Sequence, residues 1–373
     1  MKRILLITTS FPQSFTGQEA AGTFVFDFCL ELAKHADLHV MHPGSKEGSW
    51  ETDDGFTVHG FCPSSKALSL LKLYRPGDAV QIFNILRKGN ALAKQLVKEY
   101  SIDHVVCLWA LPCAYWARST GLPYDVWALG SDIWSLGKIP IVQSVLKGVL
   151  KDAKSLYADG FQLVDDVKAL SGRECMFLPS SRNLGEVEQE ESSIESLGGL
   201  KLAFLGRWHE NKGVDLLMAA LEGLDDADWK RVSEVRIAGG GPMEQEVFQS
   251  VNKLKKIGRP VSVCGYLNKS EAVAFLLWAD WFMLPSRIES VPVVFSDCMQ
   301  LDLPIVAMPV GDIPRLMEAY EVGICSQRVD APAFAEALKR ILKGVSVTPG
   351  SFRKCAEEFS VSRSVETLLD RVK

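Results

Sequence analysis

Two carboxylates, Glu289 and Asp297, stand eight positions apart in the run Pro285-Ser286-Arg287-Ile288-Glu289-Ser290-Val291-Pro292-Val293-Val294-Phe295-Ser296-Asp297. Upstream lie two cations, in Gly206-Arg207 and Lys212-Gly213, and then a glycine run, Gly239-Gly240-Gly241-Pro242. Carboxylates can hold hydroxyls. Fixed cations can neutralise the diphosphate of a leaving group, and stabilising developing charge is often the largest catalytic contribution. Glycines let backbone approach a ligand closely. Together these residues describe a site for a nucleoside-diphosphate sugar.

Each group falls where a strand would end and a helix begin. Lys201–Leu205 reads as a strand with Gly206 as its turn, so Arg207 follows it directly and Lys212 lies just ahead of a helix over Val214–Leu221. Glu234–Ala238 reads as a strand, and the glycine run leads from it into a helix over Met243–Leu254. Glu244 stands where a dinucleotide fingerprint would need its third glycine, so that reading is unsupported. Trp281–Leu284 is a strand, Glu289 sits in the loop after it, and Ser290–Val294 opens a helix with Pro292 near its first turn. Ligands of open parallel sheets bind at the carboxyl ends of strands. The backbone N–H groups around Ser290, Val291 and Val293 can hold phosphate oxygens. The apolar neighbours of Asp297 predict burial, where a carboxylate needs a partner. A hydroxyl-bearing ligand would supply one.

The first half of the chain alternates in the same way. Arg3–Thr8, Asp37–Met41, His104–Trp109, Tyr124–Ala128, Ser155–Ala158 and Met176–Leu178 read as strands, and Phe24–Lys34 and Ala91–Tyr100 as helices. Such alternation predicts a parallel sheet with helices on both faces. The pattern breaks over 183–200, which includes the acidic Glu186–Glu195 and reads as a linker. With 373 residues the chain exceeds one typical domain of ~100–200. Two α/β domains are expected, 1–182 and 201–354, with an amphipathic helix at Ser364–Val372. Small residues from Gly17 to Gly22, after the first strand, suit close ligand approach. Asp132, in Leu129-Gly130-Ser131-Asp132, reads as a site residue or as a helix N-cap. Trp109, Trp116, Trp127 and Trp134 read as core, with stacking on an acceptor sugar or isoprenoid chain as the alternative. Ala67–Arg75 mixes apolar residues with Lys72 and Arg75. It reads as a packed helix, or as a weak peripheral contact with an anionic bilayer.

Composition narrows the function classes. Net charge −5 and pI near 5.8 give no reason to invoke nucleic acid. The first apolar run stops at Thr8-Thr9-Ser10, shorter than a secretory core segment of ~7–15 residues, and reads as a buried strand. No run reaches the ~18 apolar residues of a spanning helix. Nine scattered cysteines without a Cys-x-x-Cys pair suggest a reduced, cytoplasmic setting. Six histidines without metal-ligand spacing, and no Asp-x-Asp element, predict no metal.

In order and spacing the motifs resemble the retaining GT-B glycosyltransferases of family 4, the group 1 glycosyltransferases. The resemblance is most specific over Lys201–Pro314. It implies an α/β fold of two Rossmann-like parallel-sheet domains facing across a cleft. The first would bind the acceptor and the second the donor, with a C-terminal helix in about 355–373 packed back on the first. Arg207 and Lys212 would hold the donor diphosphate, Glu289 the sugar hydroxyls, and Asp297, where relatives have glutamate, the ribose. Gly240 and Gly241 would lie close to the donor, Tyr266 and Leu267 near the base, and Gly22 in a loop facing phosphate and acceptor. Leu129 stands where a histidine is usual, and Gly311-Asp312 where Gly-Gly is common. The departing phosphate can itself take the acceptor proton, so a histidine is not required. The expected activity is metal-independent, retaining hexosyl transfer in the cytoplasm, or at the inner face of the membrane. The sugar would pass from a nucleoside-diphosphate sugar to a hydroxyl of a glycan or lipid-linked saccharide, with no cofactor beyond that co-substrate. A nucleotide-sugar epimerase of the same architecture and a non-catalytic sugar-binding protein remain as alternatives.

Overall fold

A computed structural model describes residues 1–12, 22–62, 71, 75–135, 139–185, 199–345, 347 and 351–372. Most of Gly17–Gly22 and of Ala67–Arg75, and all of Glu186–Glu195, lie outside them.

The chain forms two units. One is built from residues up to Ser180 together with those from Val361 onward; the other runs Ser181–Ser360. In the first unit the elements are β1 (Arg3–Ile7), α1 (Thr23–Ala33), β2 (Asp37–Pro43), β3 (Gly48–Glu51), β4 (Thr57–Phe61), α2 (Pro76–Glu99), β5 (His104–Leu108), α3 (Tyr115–Arg118), β6 (Tyr124–Ala128), α4 (Ser131–Trp134), α5 (Pro140–Asp152), β7 (Ser155–Ala158), α6 (Phe161–Ser171) and β8 (Met176–Phe177). Strand order is β3-β4-β2-β1-β5-β6-β7-β8, parallel except that β3 pairs antiparallel with β4 at the edge. β5 and β6 are buried along their whole length, as expected of central strands covered on both faces. On one face α2, α3, α5 and α6 close a core around Trp116, whose ring fits because Gly89 of α2 has no Cβ. On the other face α1 packs over Ile4, Leu6 and Trp127.

In the second unit the elements are β9 (Leu200–Arg207), α7 (Val214–Glu222), α8 (Asp226–Trp229), β10 (Val232–Gly240), α9 (Glu244–Lys256), β11 (Val261–Cys264), α10 (Lys269–Leu277), β12 (Trp281–Leu284), α11 (Val293–Gln300), β13 (Ile305–Ala307), α12 (Ile313–Tyr320), β14 (Gly323–Cys325), α13 (Ala331–Leu342) and α14 (Ser351–Glu358). Its parallel strands lie in the order β11-β10-β9-β12-β13-β14. The chain then returns to the first unit as α15 (Val361–Val372), which packs on α1.

Both sheets are thus parallel and helix-covered, as the alternation predicts. Several boundaries differ, three of them by position or role. The helix expected over Ala91–Tyr100 begins fifteen residues earlier, at Pro76. Gly206 and Arg207 are not a turn after a strand but its last two residues, paired with Gly239 and Gly240. The helix expected to open over Ser290–Val294 begins at Val293, with Pro292 just before its first turn, where its lack of an N–H costs nothing.

Candidate active site

In each sheet successive strands add outward in one direction and then in the other. The reversal falls between β9 and β12 in the second unit and between β1 and β5 in the first. Loops leaving the carboxyl ends at such a reversal diverge and leave a crevice.

The crevice of the second unit is lined by the loop after β9 and the loop after β12. Lys212 ends a short helical turn, Glu210–Lys212, capped by the His209 imidazole, which accepts from the Asn211 N–H at 3.2 Å. Gly213 must follow: its φ is +66°, and a Cβ there would stand 1.9 Å from the Pro285 carbonyl oxygen. This close approach draws the two loops together. Arg287 fastens them, giving two hydrogen bonds to Asp215, at 2.7 and 2.5 Å, and one to the Glu210 carbonyl at 2.6 Å. The guanidinium holds the Asp215 carboxyl below its ordinary range.

Lys212 Nζ therefore reaches Glu289 Oε1 at 2.5 Å, and Ser286 Oγ donates to the same oxygen at 2.8 Å. Glu289 Oε2 has no hydrogen-bond partner among the described residues. Arg207, exposed at the end of β9, has none either. Among the described residues the Arg207 guanidinium and Glu289 Oε2 are thus left without partners. Just beyond Glu289, half-buried Ser290 and buried Val291 lead to Val293 and the start of α11, which has no side-chain cap. Gly240 ends the neighbouring β10 and Gly241 follows it. The ring of exposed Tyr266 lies against Gly240, where a Cβ would stand 2.6 Å from it, and Leu267 beside it is half-buried.

Asp297 finds within the protein the partner that a ligand was expected to supply. It lies on α11 with 0% exposure and is held by Arg182, whose Nε donates to Oδ1 at 3.1 Å and whose Nη2 pairs with Oδ2. The burial was legible; the partner is an arginine 115 positions away, so no ligand is needed to satisfy the carboxylate. Gln300, on the same helix, donates to the Arg182 carbonyl and accepts from the Leu184 N–H. Nothing in the sequence pattern signals these contacts.

In the first unit the reversal brings Gly22 to the start of α1 with φ +83°. It also brings the turn after β5 beside the turn after β6. Asp132 is buried but is not an N-cap. Its carboxylate accepts the N–H groups of Ala110 at 2.5 Å and Leu129 at 3.3 Å, and burial pushes its carboxyl up despite them. Those bonds pin Trp109 at φ +70°, ψ 130°, a backbone state costing roughly 1–3 kcal/mol for a residue with a side chain. Strain of this kind collects at functional sites, and here it turns a tryptophan at the carboxyl edge. Trp116 and Trp127 are wholly buried, the core role expected of them; Trp109 and Trp134 are half-buried. Among the described residues no cluster of His, Cys, Asp or Glu could hold a metal. No described helix is long and apolar enough to cross a membrane.

Residues 199–344 match the family model of glycosyl transferases group 1, so the second unit carries a group 1 glycosyltransferase domain. A Bacillus subtilis (strain 168) protein named for teichuronic acid biosynthesis, the glycosyltransferase TuaC, is 26% identical over 60% of this chain and 56% of its own length. The chain spans about half or less of the length of the curated relatives it matches. Among solved structures, sucrose-phosphate synthase from Thermosynechococcus elongatus superposes with a TM-score of 0.78 at 17% identity, covering 99% of this chain and 98% of that one. HepE of Anabaena, solved with UDP and glucose, gives 0.71 at 14% identity, covering 99% of each. At such identities the likeness is one of fold, and the fold is GT-B.

Proposed function

We propose that this protein transfers a sugar from a nucleoside-diphosphate sugar to a hydroxyl of a glycan or lipid-linked saccharide, with retention at the anomeric carbon. The observation that carries the reading is the pair Lys212–Glu289 at the sheet reversal, with Arg207 at the end of β9 and its guanidinium without a partner among the described residues. Arg207 and Lys212 would take the diphosphate as the bond from the anomeric carbon to the phosphate oxygen breaks, the point at which negative charge grows. Glu289 Oε2 would accept a hydrogen bond from a sugar hydroxyl and orient the ring. The acceptor oxygen then bonds to the anomeric carbon on the face the phosphate leaves, and its proton passes to the phosphate. No metal and no cofactor beyond the donor enter this scheme. Asp297, paired with Arg182, would fix α11 and hold the ribose from there. The thiol-rich, disulfide-free chain suits a reducing cytoplasm.

UDP and glucose bind HepE, which makes UDP sugars the first donors to test. A thermal-shift panel of UDP, GDP, ADP and CDP sugars should single out one base; a ligand at ~100 times its Kd adds ~2.7 kcal/mol of stability. With that donor, Arg207→Ala should lower transfer by roughly 10²–10³ while melting unchanged. Unaltered turnover in the folded variant would refute the assignment.

A further inference from the structure

The first unit presents an apolar surface edged with cations at the carboxyl end of its sheet. α2 has 24 residues and is about 36 Å long at ~1.5 Å per residue. β5, which follows it, has five residues and spans only about 17 Å. A crossover helix runs antiparallel to its strands, so α2 ends level with the start of β5 and its first turns overshoot the carboxyl edge. By this length no described strand reaches beneath them to cover apolar side chains. Val80 is 61% and Phe83 65% exposed, and Ile85 is the first apolar residue of α2 to be buried. α5 repeats the arrangement with 13 residues against the four of β7. Ile141 is 81% exposed, Ile139 and Val145 are exposed beside it, and burial of its apolar side begins at Leu146. Both helices lie on one face of the sheet, each packed against α3.

Behind the apolar turns the outward residues are basic. Arg87, Lys88, Lys94 and Lys98 on α2, and Lys147 and Lys151 on α5, are all exposed. Facing them on the same helices are Glu99, Asp152, which pairs with Arg118, and Asp78, which is buried. Six cations against three carboxylates give these helices +3 in a chain of −5. A second copy docking through the same patch would set cations against cations. A surface rich in anionic headgroups, with an apolar layer just beneath, matches both features.

We propose that this face rests on an anionic lipid bilayer, with Val80, Phe83 and Ile141 entering the interface and the lysines and arginines against the headgroups. The proposal stands apart from the transfer reading, because it can be measured without a donor. Full-length protein should co-sediment with phosphatidylcholine vesicles containing phosphatidylglycerol, less at high salt, and not with phosphatidylcholine alone. Phe83→Ser with Ile141→Ser should weaken vesicle binding more than about tenfold, leaving melting and nucleotide-induced thermal shifts intact. Arg87→Gln with Lys88→Gln and Lys147→Gln should flatten the salt dependence. Absence of co-sedimentation, or serine variants that bind as the parent does, would overturn the proposal. So would a concentration-dependent dimer in ultracentrifugation that the serine variants abolish, which would assign the face to a second copy.

Discussion

Lys212 and Glu289 are 77 positions apart, and Arg182 and Asp297 are 115 apart. The two pairs differ in what surrounds them. The first leaves Lys212 partly exposed and, among the described residues, Glu289 Oε2 without a partner; the second is more deeply buried. Asp297→Asn would leave a partly buried guanidinium without its countercharge, and breaking such a pair costs about 3–5 kcal/mol. Urea unfolding followed by circular dichroism should show that loss. Replacing both residues by leucine should recover most of it, since two apolar side chains leave no buried charge behind. A single variant as stable as the parent would mean that the pair carries no weight. Asp297 also shows where reading from sequence stops. Its burial follows from Phe295, Cys298 and Leu301 around it. Its partner comes from a segment before the whole second sheet, and pairing at that range leaves no local trace.

At the scale of elements, the strand-to-helix turns of the second unit were legible because each is local chemistry: a β-branched or apolar run, a glycine, then a helical period. β4 was not, because Thr57–Phe61 carries a histidine and a glycine in five residues. The first half of α2 was missed because apolar Val80 and Phe83 on its outer side blur the helical period. β4 has a pH consequence. His59 Nε2 lies 3.0 Å from His39 Nδ1 on β2, and Ser49 Oγ lies 2.7 Å from His59 Nδ1. Burial pushes both imidazoles down, His59 to about 4, against the pull of Asp37 on His39 and of Glu99 on His59. The unfolded chain takes these protons near pH ~6.5. Between that value and about 4 the unfolded state therefore binds more protons, and stability falls as pH drops. Melting of the protein should decline across this window, and His39→Gln with His59→Gln should flatten the slope. A decline of the same size in that variant would place the acid sensitivity elsewhere. Asp215 works at lower pH. Its depressed carboxyl contributes fully above the unfolded value of ~3.9 and is lost as pH falls below it.

At the scale of the whole molecule, the two-sheet architecture could be read from alternation alone, because parallel βα units repeat one local pattern. The discontinuity of the first unit could be named only through resemblance. Val361, Val365, Leu368 and Val372 of α15 are buried in the core that α1 and β1 share. At ~1.5–3 kcal/mol for each such side chain, an upper estimate, their contribution rivals the ~5–15 kcal/mol stability of a typical domain. A chain ending at Ser360 should therefore bind a hydrophobic dye strongly and lose the first unit's melting transition, while the second unit keeps its response to nucleotide. A truncated chain that melts as the parent does would contradict this.

The same discontinuity sets an order of events during synthesis. Everything from Ser181 to Ser360 must be translated before the helix that completes the first sheet's cover can be made. Until then the nascent first unit exposes Ile4, Leu6 and Phe28, apolar surface of the kind chaperones hold. The second unit, continuous in the chain, can finish folding first, although it is translated later.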